Sequence, residues 1–301
     1  MYDVITLGSA VLDIFLETGL REKGKFMAYP VGEKILVKGI RFYVGGGGTN
    51  TAVAFARLGL KTGYIGKIDS EFGGRKILKL LKNEKVKFLG KTEKNPKSLG
   101  GYSIILDSKE KDRTVLTYKG FNEEIKFSDL KIKKIKAKWV YFSSALKESF
   151  ETQKKLAKIL CEKGVKIAFN PSMYIIKREK LGEILKRTDV LILNKEEAEA
   201  LAKSKNFLIA LGKLGPKIVV VTDGKNIVYT YDGKKKYSVI PHKVKVVEAT
   251  GAGDAFASGF VAGQITGKSI EESLKLGLEE SEAVIQNYGA KNNLIKRNLK
   301  K

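Results

Sequence analysis

The segment EATGAGDAFASGF, at Glu248–Phe260, is the strongest local signal in the chain. Residues 244–247 read as a strand that enters a Gly-Ala-Gly turn, and the small residues after the turn predict a helix. Helix N-termini carry unpaired N–H groups and a partial positive charge, and glycine lets a phosphate approach the backbone closely. The segment therefore predicts a phosphate site at a helix N-terminus.

Asp254 falls in the first turn of that predicted helix, beside the phosphate site. A carboxylate at this point repels a phosphate, so simple phosphate binding does not explain it. It is explained if the carboxylate accepts the proton of a hydroxyl that attacks the phosphate. The alternative is a glycine-rich turn in which Asp254 is an ordinary acid at a helix N-terminus. The GAGD sequence taken alone leaves both interpretations open.

A second glycine run, GGGGTN at Gly45–Asn50, enters a predicted helix at 49–60. Glycines leave no side chain between the backbone and a ligand, and Asn50 can donate and accept hydrogen bonds. The alternative is a flexible turn. The chain contains no GxxxxGK[ST] sequence, and Gly8 stands alone after the first strand, which argues against a dinucleotide-binding domain.

Strand and helix patterns alternate along most of the chain, which predicts a parallel sheet with helices on both faces. The predicted strands are 3–8, 61–68, 139–142, 165–169, 190–193 and 217–222, and the predicted helices are 49–60, 73–83, 151–163 and 196–203. Period-two alternation at 33–44 and 100–119, with a turn signal at 107–112, predicts a small additional sheet acting as a lid, and the segment 11–18 is assigned to the same sheet. No linker composition interrupts residues 1–301, so we expect one α/β domain carrying that lid.

Composition narrows the class of protein. The 301 residues include 57 Lys and Arg and carry a formal charge of +24, which suggests a nucleic-acid binder. Only eight of these residues are Arg and the lysines run along the whole chain, so we interpret them as a solvated surface and expect no nucleic-acid partner. A single histidine, His242, argues against histidine-based zinc sites and a Ser-His-Asp triad. One cysteine, no long apolar run and no signal-peptide pattern at the start predict a cytoplasmic protein without membrane contact.

Together these features resemble the ribokinase-like (PfkB) carbohydrate kinase family. GGGGTNTAVAFARLG resembles its N-terminal signature and EATGAGDAFASGF its C-terminal one, and they occur in the family's order. The resemblance implies an α/β ribokinase-like fold with a mostly parallel central sheet. It also implies that Asp254 is the catalytic base and that the N–H groups of Gly251, Ala252, Gly253 and Asp254 form an anion hole. Asp13, Gly45, Gly46, Gly47 and Asn50 would then bind sugar hydroxyls.

Further matches concern the nucleotide and metal. Asn194 and Glu197 resemble the family's N-x-x-E motif, which implies that Asn194 binds nucleotide and that Glu197 organises Mg²⁺ through water. Without the resemblance Glu197 reads as a solvent-facing helix acid. Thr222 and Gly224 resemble the strand-end turn at the nucleotide. Asn170 follows a predicted strand and is assigned to substrate binding at the same cleft.

The acidic residue before GAGD departs from the family pattern. Members that use a monovalent cation carry an acidic residue followed by Thr-Thr, whereas this chain has Glu248-Ala249-Thr250. Glu248 is the candidate ligand for K⁺, but Ala249 supplies no oxygen. Activation by K⁺ is therefore an open question.

The resulting prediction is ATP-dependent and Mg²⁺-dependent phosphorylation of a sugar hydroxyl. A nucleoside is the second candidate for the acceptor and a sugar phosphate is the third, with Arg113 and Lys119 meeting the second phosphate. Arg113 reads equally as a solvated hairpin charge. Two alternatives belong to other classes of protein. A basic nucleic-acid-binding protein would leave the GAGD sequence unexplained. A binding module that has lost catalytic activity would leave unexplained why Asp254, GGGGTN and N-x-x-E are all intact. The open face of the lid further suggests a homodimer formed through it.

Overall fold

The computed structural model describes residues 1–24, 26–94, 99–109 and 113–300. The helices of this part of the chain are α1 Gly47–Arg57, α2 Phe72–Asn83, α3 Lys147–Glu162, α4 Met173–Arg178, α5 Gly182–Leu185, α6 Lys195–Ala202, α7 Phe207–Gly212, α8 Ala252–Ile265 and α9 Ile270–Val284. Short 3₁₀ turns occur at Gly120–Glu123, Phe127–Asp129 and Ile132–Lys134. The strands are β1 Tyr2–Leu7, β2 Val11–Glu17, β3 Glu22–Lys23, β4 Phe26–Met27, β5 Gly39–Gly45, β6 Thr62–Ile65, β7 Lys67–Asp69, β8 Lys87–Phe88, β9 Lys91–Glu93, β10 Gly101–Asp107, β11 Arg113–Tyr118, β12 Ala137–Phe142, β13 Lys166–Phe169, β14 Val190–Asn194, β15 Ile218–Thr222, β16 Val228–Tyr231 and β17 Lys236–Val239.

The central sheet has the strand order β17-β16-β15-β14-β13-β12-β1-β6-β8. It is parallel from β15 to β8, and β16 and β17 add an antiparallel edge. Its strands are continuous apolar runs because both faces are covered, and two large apolar clusters lie on opposite faces. The α/β fold class predicted from the alternating pattern is confirmed.

A second, four-stranded sheet has the order β11-β10-β2-β5. On one face Asp13 lies between Ser103 and Tyr43 of the neighbouring strands. The opposite face carries Ile14 between Phe42 and Ile104. This sheet corresponds to the predicted lid strands, while its action as a lid and the single-domain organisation stay predictions.

Two strand predictions are wrong. Residues 33–38 are not part of β5, because β2, the strand that pairs with β5, ends at Glu17 opposite Gly39; a last hydrogen bond joins the Lys38 N–H to the Glu17 carbonyl at 2.7 Å. Residues 244–247 are also not a strand, since the N–H groups of Val247 and Glu248 bond to the carbonyl of Ile285 after α9 instead of a sheet edge. The turn predicted at 107–112 falls partly on residues 110–112, which lie outside the described residues.

The chain leaves β1 for β6 on one side, and β12 lies on the other side of β1. In an open parallel sheet such a reversal leaves a crevice outside the carboxyl ends of the strands, where ligands bind. Within the described residues, no helix has both the length and the apolar composition to cross a membrane.

Candidate active site

A cavity of about 320 Å³ opens at the carboxyl ends of the central strands. Strands β1, β12, β13, β14 and β15 are parallel, so the residues that follow them meet at this edge. The starts of α1 and α8 complete the cavity, which we call the cleft. It is lined by Ser9, Gly47, Ser143, Ser144, Asn170, Pro171, Ser172, Ile192, Leu193, Asn194, Glu197, Thr222, Gly251, Gly253 and Asp254.

The cleft brings together half of the residues proposed from sequence. Those in its lining are Gly47, Asn170, Asn194, Glu197, Thr222, Gly251, Gly253 and Asp254. Those outside its lining are Asp13, Gly45, Gly46, Asn50, Ala252, Arg113, Gly224 and Glu248. Residues from both ends of the chain therefore meet at one surface.

The start of α8 supplies the backbone of the predicted anion hole. Gly251 precedes the helix with a φ of 84°, a conformation that favours glycine, and a Cβ there would lie 2.5 Å from that of Ala290. At Gly253 a Cβ would meet no atom within 4 Å, so this turn faces open space. The first N–H groups of an α-helix have no acceptor within the helix. The Ala252 N–H donates to the carbonyl of Ala249 at 3.3 Å, so the N–H groups of Gly253 and Asp254 are the ones offered to an anion in the cleft.

Asp254 projects from the first turn of α8 and is held from one side by α1. The Oδ2 atom of Asp254 accepts a 2.7 Å hydrogen bond from Nδ2 of Asn50, while Oδ1 lies on the side of Gly47. Burial raises the pKa of Asp254, and the Asn50 amide and the charge of Lys291 oppose this. A carboxylate with one oxygen held and the other toward the cleft can accept a proton there.

The glycine run at Gly45–Gly48 is packed against the protein's own atoms. A Cβ on Gly45 would lie 1.9 Å from Oδ2 of Asp13, and one on Gly46, whose φ is 94°, would lie 2.5 Å from the carbonyl oxygen of Ser9. Gly47 is the member of the run that lines the cleft. The glycines thus let α1 enter tightly against the ends of β1 and β2.

Asp13 lies in β2 of the second sheet, with its carboxylate against Gly45 and outside the lining of the cleft. Burial raises the pKa of Asp13 to about 6, while the charge of Lys291 and a hydrogen bond from Ser103 oppose the rise. Because a side chain at Gly45 would displace this carboxylate, the two positions depend on each other.

Asn194 and Glu197 form a capping box at the start of α6. The Oδ1 atom of Asn194 accepts from the Glu197 N–H at 2.8 Å, and Oε2 of Glu197 accepts from the Asn194 N–H at 2.9 Å. Oε1 of Glu197 accepts from the Met173 N–H at 3.2 Å, and burial raises the pKa of this carboxyl group. Glu197 is 9% exposed, so the interpretation as a solvent-facing acid is wrong.

The remaining strand-end residues lie around the same edge. Asn170 donates to the carbonyl of Ile192 at 2.8 Å and accepts from the hydroxyl of Tyr141 at 3.3 Å, which fixes it between β12 and β14. Thr222 ends β15 in the cleft lining, and Gly224 forms the turn after it with a φ of 56°.

Arg113 and Glu248 meet each other across the gap between the second sheet and the loop before α8. Nη1 of Arg113 lies 3.3 Å from Oε1 of Glu248, and Oε2 of Glu248 accepts from the Gly289 N–H at 2.8 Å. They line a separate cavity of about 290 Å³. Lys119 is elsewhere, with its ammonium 5.9 Å from the ring centre of Tyr174.

Comparison with known proteins decides the family. The family model described as pfkB family carbohydrate kinase matches residues 3–297. The chain belongs to the pfkB family of carbohydrate kinases. This confirms the resemblance seen in the two glycine motifs, and it makes the chain a kinase of sugars or nucleosides.

Individual relatives of this PfkB-family kinase differ in what they are named for. An uncharacterized sugar kinase from Archaeoglobus fulgidus is 30% identical over 254 residues, covering 80% of this chain and 98% of the relative. A cytidine kinase from Thermococcus kodakarensis is 37% identical over 147 residues, covering 46% of this chain and 53% of the relative. The structure of a ribokinase from Thermotoga maritima aligns with a TM-score of 0.83 at 21% identity, covering 99% of this chain and 97% of that one, and shows the fold.

Two features of this PfkB-family kinase were missed from sequence. The first is a group of serines in the cleft lining: Ser9, Ser143, Ser144 and Ser172. Serines at strand ends carry no motif that would single them out. The second is Lys291, which is 5% exposed and donates from Nζ to Oδ1 of Asn50. It lies at the start of a lysine-rich tail, where the sequence pattern indicates solvated charges.

Proposed function

We propose that the protein phosphorylates a hydroxyl of a sugar, with ATP as donor and Asp254 as general base. The observation that carries this proposal is the position of Asp254, whose carboxylate lies beside the open turn at Gly253 and the N–H groups that begin α8. A base and an anion site within one helical turn match a reaction that removes a proton while transferring a phosphoryl group.

In this mechanism the acceptor oxygen forms a bond to the γ-phosphorus as its proton passes to Oδ1 of Asp254. The bond between the γ-phosphorus and the bridging oxygen breaks, and ADP leaves with the electron pair. The N–H groups at Gly251–Asp254 offset the charge on the transferring group, and donors of this type contribute about 3 to 4 kcal/mol each. Asn50 keeps the Asp254 carboxylate in place during the transfer.

The nucleotide is assigned to the part of the cleft formed by Asn194, Thr222 and the adjacent turn at Gly224. For Mg²⁺, the described residues contain no group of three or more His, Cys, Asp or Glu side chains that could hold a metal directly. Mg²⁺ in phosphoryl-transfer sites is held largely by phosphates and water, with one or two carboxylates. Glu197 fits that limited role, since its carboxylate lines the cleft and keeps free lone pairs. When bound, Mg²⁺ neutralises phosphate charge.

A free sugar is the first candidate for the acceptor. The serine hydroxyls of the cleft suit a polyhydroxylated ligand, and the buried Oγ of Ser143 has no hydrogen-bond partner within the described residues. A nucleoside is the second candidate, supported by the partial match to a cytidine kinase. None of the described residues lining the cleft is aromatic, so the cleft itself offers no ring on which a base could stack. A sugar phosphate is third, because Arg113 already pairs with Glu248.

Glu248 is the position assigned to a monovalent cation. Its two oxygens contact the Arg113 guanidinium and the Gly289 N–H. We therefore propose that Arg113 supplies the positive charge beside Glu248 and that turnover does not require K⁺.

The outer face of the second sheet is proposed to pair with a second copy of the chain. This face carries five large apolar side chains that are between 38% and 54% exposed: Ile40, Phe42, Ile104, Leu116 and Tyr118. An apolar sheet face of this kind is normally covered by a partner.

The test of the kinase assignment is an ADP-release assay with ATP and a panel of pentoses, hexoses, hexose phosphates and nucleosides. Asp254→Asn should retain the fold and lower kcat at least 100-fold, which is the lower range for loss of a general base. Asp232→Asn, in a turn on the edge of the sheet, is the matched control and should keep kcat within about twofold. Wild-type turnover in Asp254→Asn would exclude Asp254 as the base.

A further inference from the structure

Lys291 is a buried charge in direct contact with the proposed site. It follows Gly289 and Ala290 in the segment after α9 and is 5% exposed. Its ammonium donates to Oδ1 of Asn50, the residue whose Nδ2 donates to Asp254. Burying an ammonium group costs free energy unless the group is paired and hydrogen-bonded, so the contacts of Lys291 must offset the cost of its desolvation.

The backbone of Lys291 is anchored separately from its ammonium. Nη1 of Arg57 donates to the carbonyl of Lys291 at 2.6 Å. The same guanidinium donates twice to Glu84, at 3.0 and 2.6 Å. This bidentate pair is largely buried and connects α1 with the residue after α2. The Lys291 backbone is therefore anchored to α1, the helix that also carries Asn50.

The ammonium determines which way the Asn50 side chain faces. With its oxygen toward Lys291, Asn50 presents its NH₂ group to the Asp254 carboxylate. The reversed amide would place NH₂ against an ammonium and oxygen against a carboxylate, losing both hydrogen bonds. Oδ2 of Asp254 stays occupied in the observed orientation, and Oδ1 stays toward the cleft.

The charges around this chain of contacts come from four elements. Facing Lys291 are Asp13 of β2 and Asp254 of α8, with Arg57 of α1 and Glu84 after α2 further along. Asp254 also lies near the Tyr141 hydroxyl of β12. The Lys291 charge favours the ionised form of both Asp13 and Asp254, against the effect of burial.

We propose that Lys291 is a positioning residue for phosphoryl transfer: it fixes the Asn50 amide so that Asn50 holds the catalytic carboxylate, and its charge keeps Asp254 ionised. The inference rests on the proposed function, because Asp254 must be the base for its position to matter. Neither glycine motif contains Lys291, which is 241 residues from Asn50.

Lys291→Met tests the inference by removing the charge while keeping the length of the stem. We expect kcat/KM at pH 6.5 to fall about 10- to 100-fold, the range for a displaced catalytic group. The acidic limb of the pH profile should move up by about one pH unit or more, since an opposite charge nearby lowers a carboxyl pKa by that amount. Lys296→Met is the matched control, because it makes the same change at an exposed lysine five residues later.

A second variant separates orientation from charge. Lys291→Gln can still donate to Oδ1 of Asn50, so it should recover part of kcat while keeping the displaced acidic limb. On the high-pH plateau, where Asp254 is ionised with or without the lysine charge, combining Lys291→Met with Asn50→Leu should cost less than threefold beyond Asn50→Leu alone, since the positioning effect of Lys291 acts through Asn50. The inference would be overturned if the losses of the two substitutions multiply in the double variant. It would also be overturned if the pH profile of Lys291→Met coincides with that of the wild type.

The outcomes for the inference and for the proposed function are distinguishable. Activity of the wild type with loss in Asp254→Asn, but no effect of Lys291→Met, would overturn the inference and leave the kinase mechanism standing. A wild type inactive on the whole acceptor panel would count against the proposed function. The burial of Lys291 is tested independently by reductive methylation with mass spectrometry. Lys291 should stay unmodified while Lys296 is methylated, and equal modification of both would overturn the inference.

Discussion

Glu280 is a buried acid whose ionisation should make stability depend strongly on pH. It lies in α9, is fully buried, and neither of its carboxyl oxygens makes a hydrogen bond of ordinary geometry within the described residues. Burial raises the pKa of Glu280 to about 8, and the Ile295 N–H and the charges of Arg57 and Arg297 oppose this only in part. Replacement by glutamine removes the ionisation and keeps the shape of the side chain.

The magnitude follows from the two pKa values. Below pH 4.5 the carboxyl group is protonated in the folded and unfolded chains, so no stability is lost. As the pH rises toward about 8, the unfolded chain releases this proton and the folded chain does not. Each pH unit in that interval costs about 1.4 kcal/mol, which amounts to about 5 kcal/mol above pH 8. Relaxation around the ionised group reduces this, so we expect about 2 to 5 kcal/mol.

The assay is urea unfolding followed by circular dichroism at pH 5, 6, 7, 8 and 9. The free energy of unfolding of Glu280→Gln should exceed that of the wild type by an amount that grows with pH. The matched control is Glu279→Gln, at an exposed neighbour paired with Arg297 at 3.0 Å, which should differ from wild type by at most about 1 kcal/mol. Parallel pH curves for the wild type and Glu280→Gln would refute the reasoning.

Two further predictions concern the second sheet. Replacing K⁺ by tetramethylammonium should change wild-type kcat less than twofold. Arg113→Met leaves Glu248 without its guanidinium, so the kcat of this variant should rise with K⁺ concentration. A large K⁺ requirement in the wild type would contradict the proposal that Arg113 takes the place of the cation. Leu116→Lys places a charge on the exposed outer face and should convert the dimer to a monomer, as measured by light scattering. Lys109→Glu, away from that face, is the control and should leave the dimer intact. A wild type that is monomeric at micromolar concentration would contradict dimer formation through this face.

The fold was largely predictable because its parallel strands are short apolar runs bounded by turns. Burial on both faces gives β14 and β15 a pattern that needs no knowledge of their neighbours. The wrong strand prediction at 244–247 rests on the same kind of pattern, because the valines of this segment also form an apolar run. Val246 and Val247 are exposed there, and the Val247 N–H bonds to the carbonyl of Ile285 rather than to a strand. An apolar run in the sequence indicates a segment that can form a strand. Whether that segment hydrogen-bonds to a neighbouring strand depends on tertiary structure.

The candidate site was predictable where its chemistry is local. Asp254 and the turn before it lie within four residues, and Asn194 and Glu197 form a capping box at a spacing of three. The pairing of Arg113 with Glu248 was not predictable, because it joins residues 135 positions apart. Each was assigned a separate ligand from sequence, and the structure makes them each other's partner.

Lys291 shows why charge counting could not find the site's cation. In a chain with 57 Lys and Arg residues, one lysine in a basic tail is indistinguishable by composition from its neighbours. What separates it is burial against two carboxylates, Asp13 and Asp254, which come from opposite ends of the chain. A solvated lysine contributes little to a site because water screens it, whereas a buried lysine acts on nearby acids at low dielectric. The net charge of +24 therefore says little about activity, whereas this single buried charge acts on the ionisation of Asp254, the proposed base.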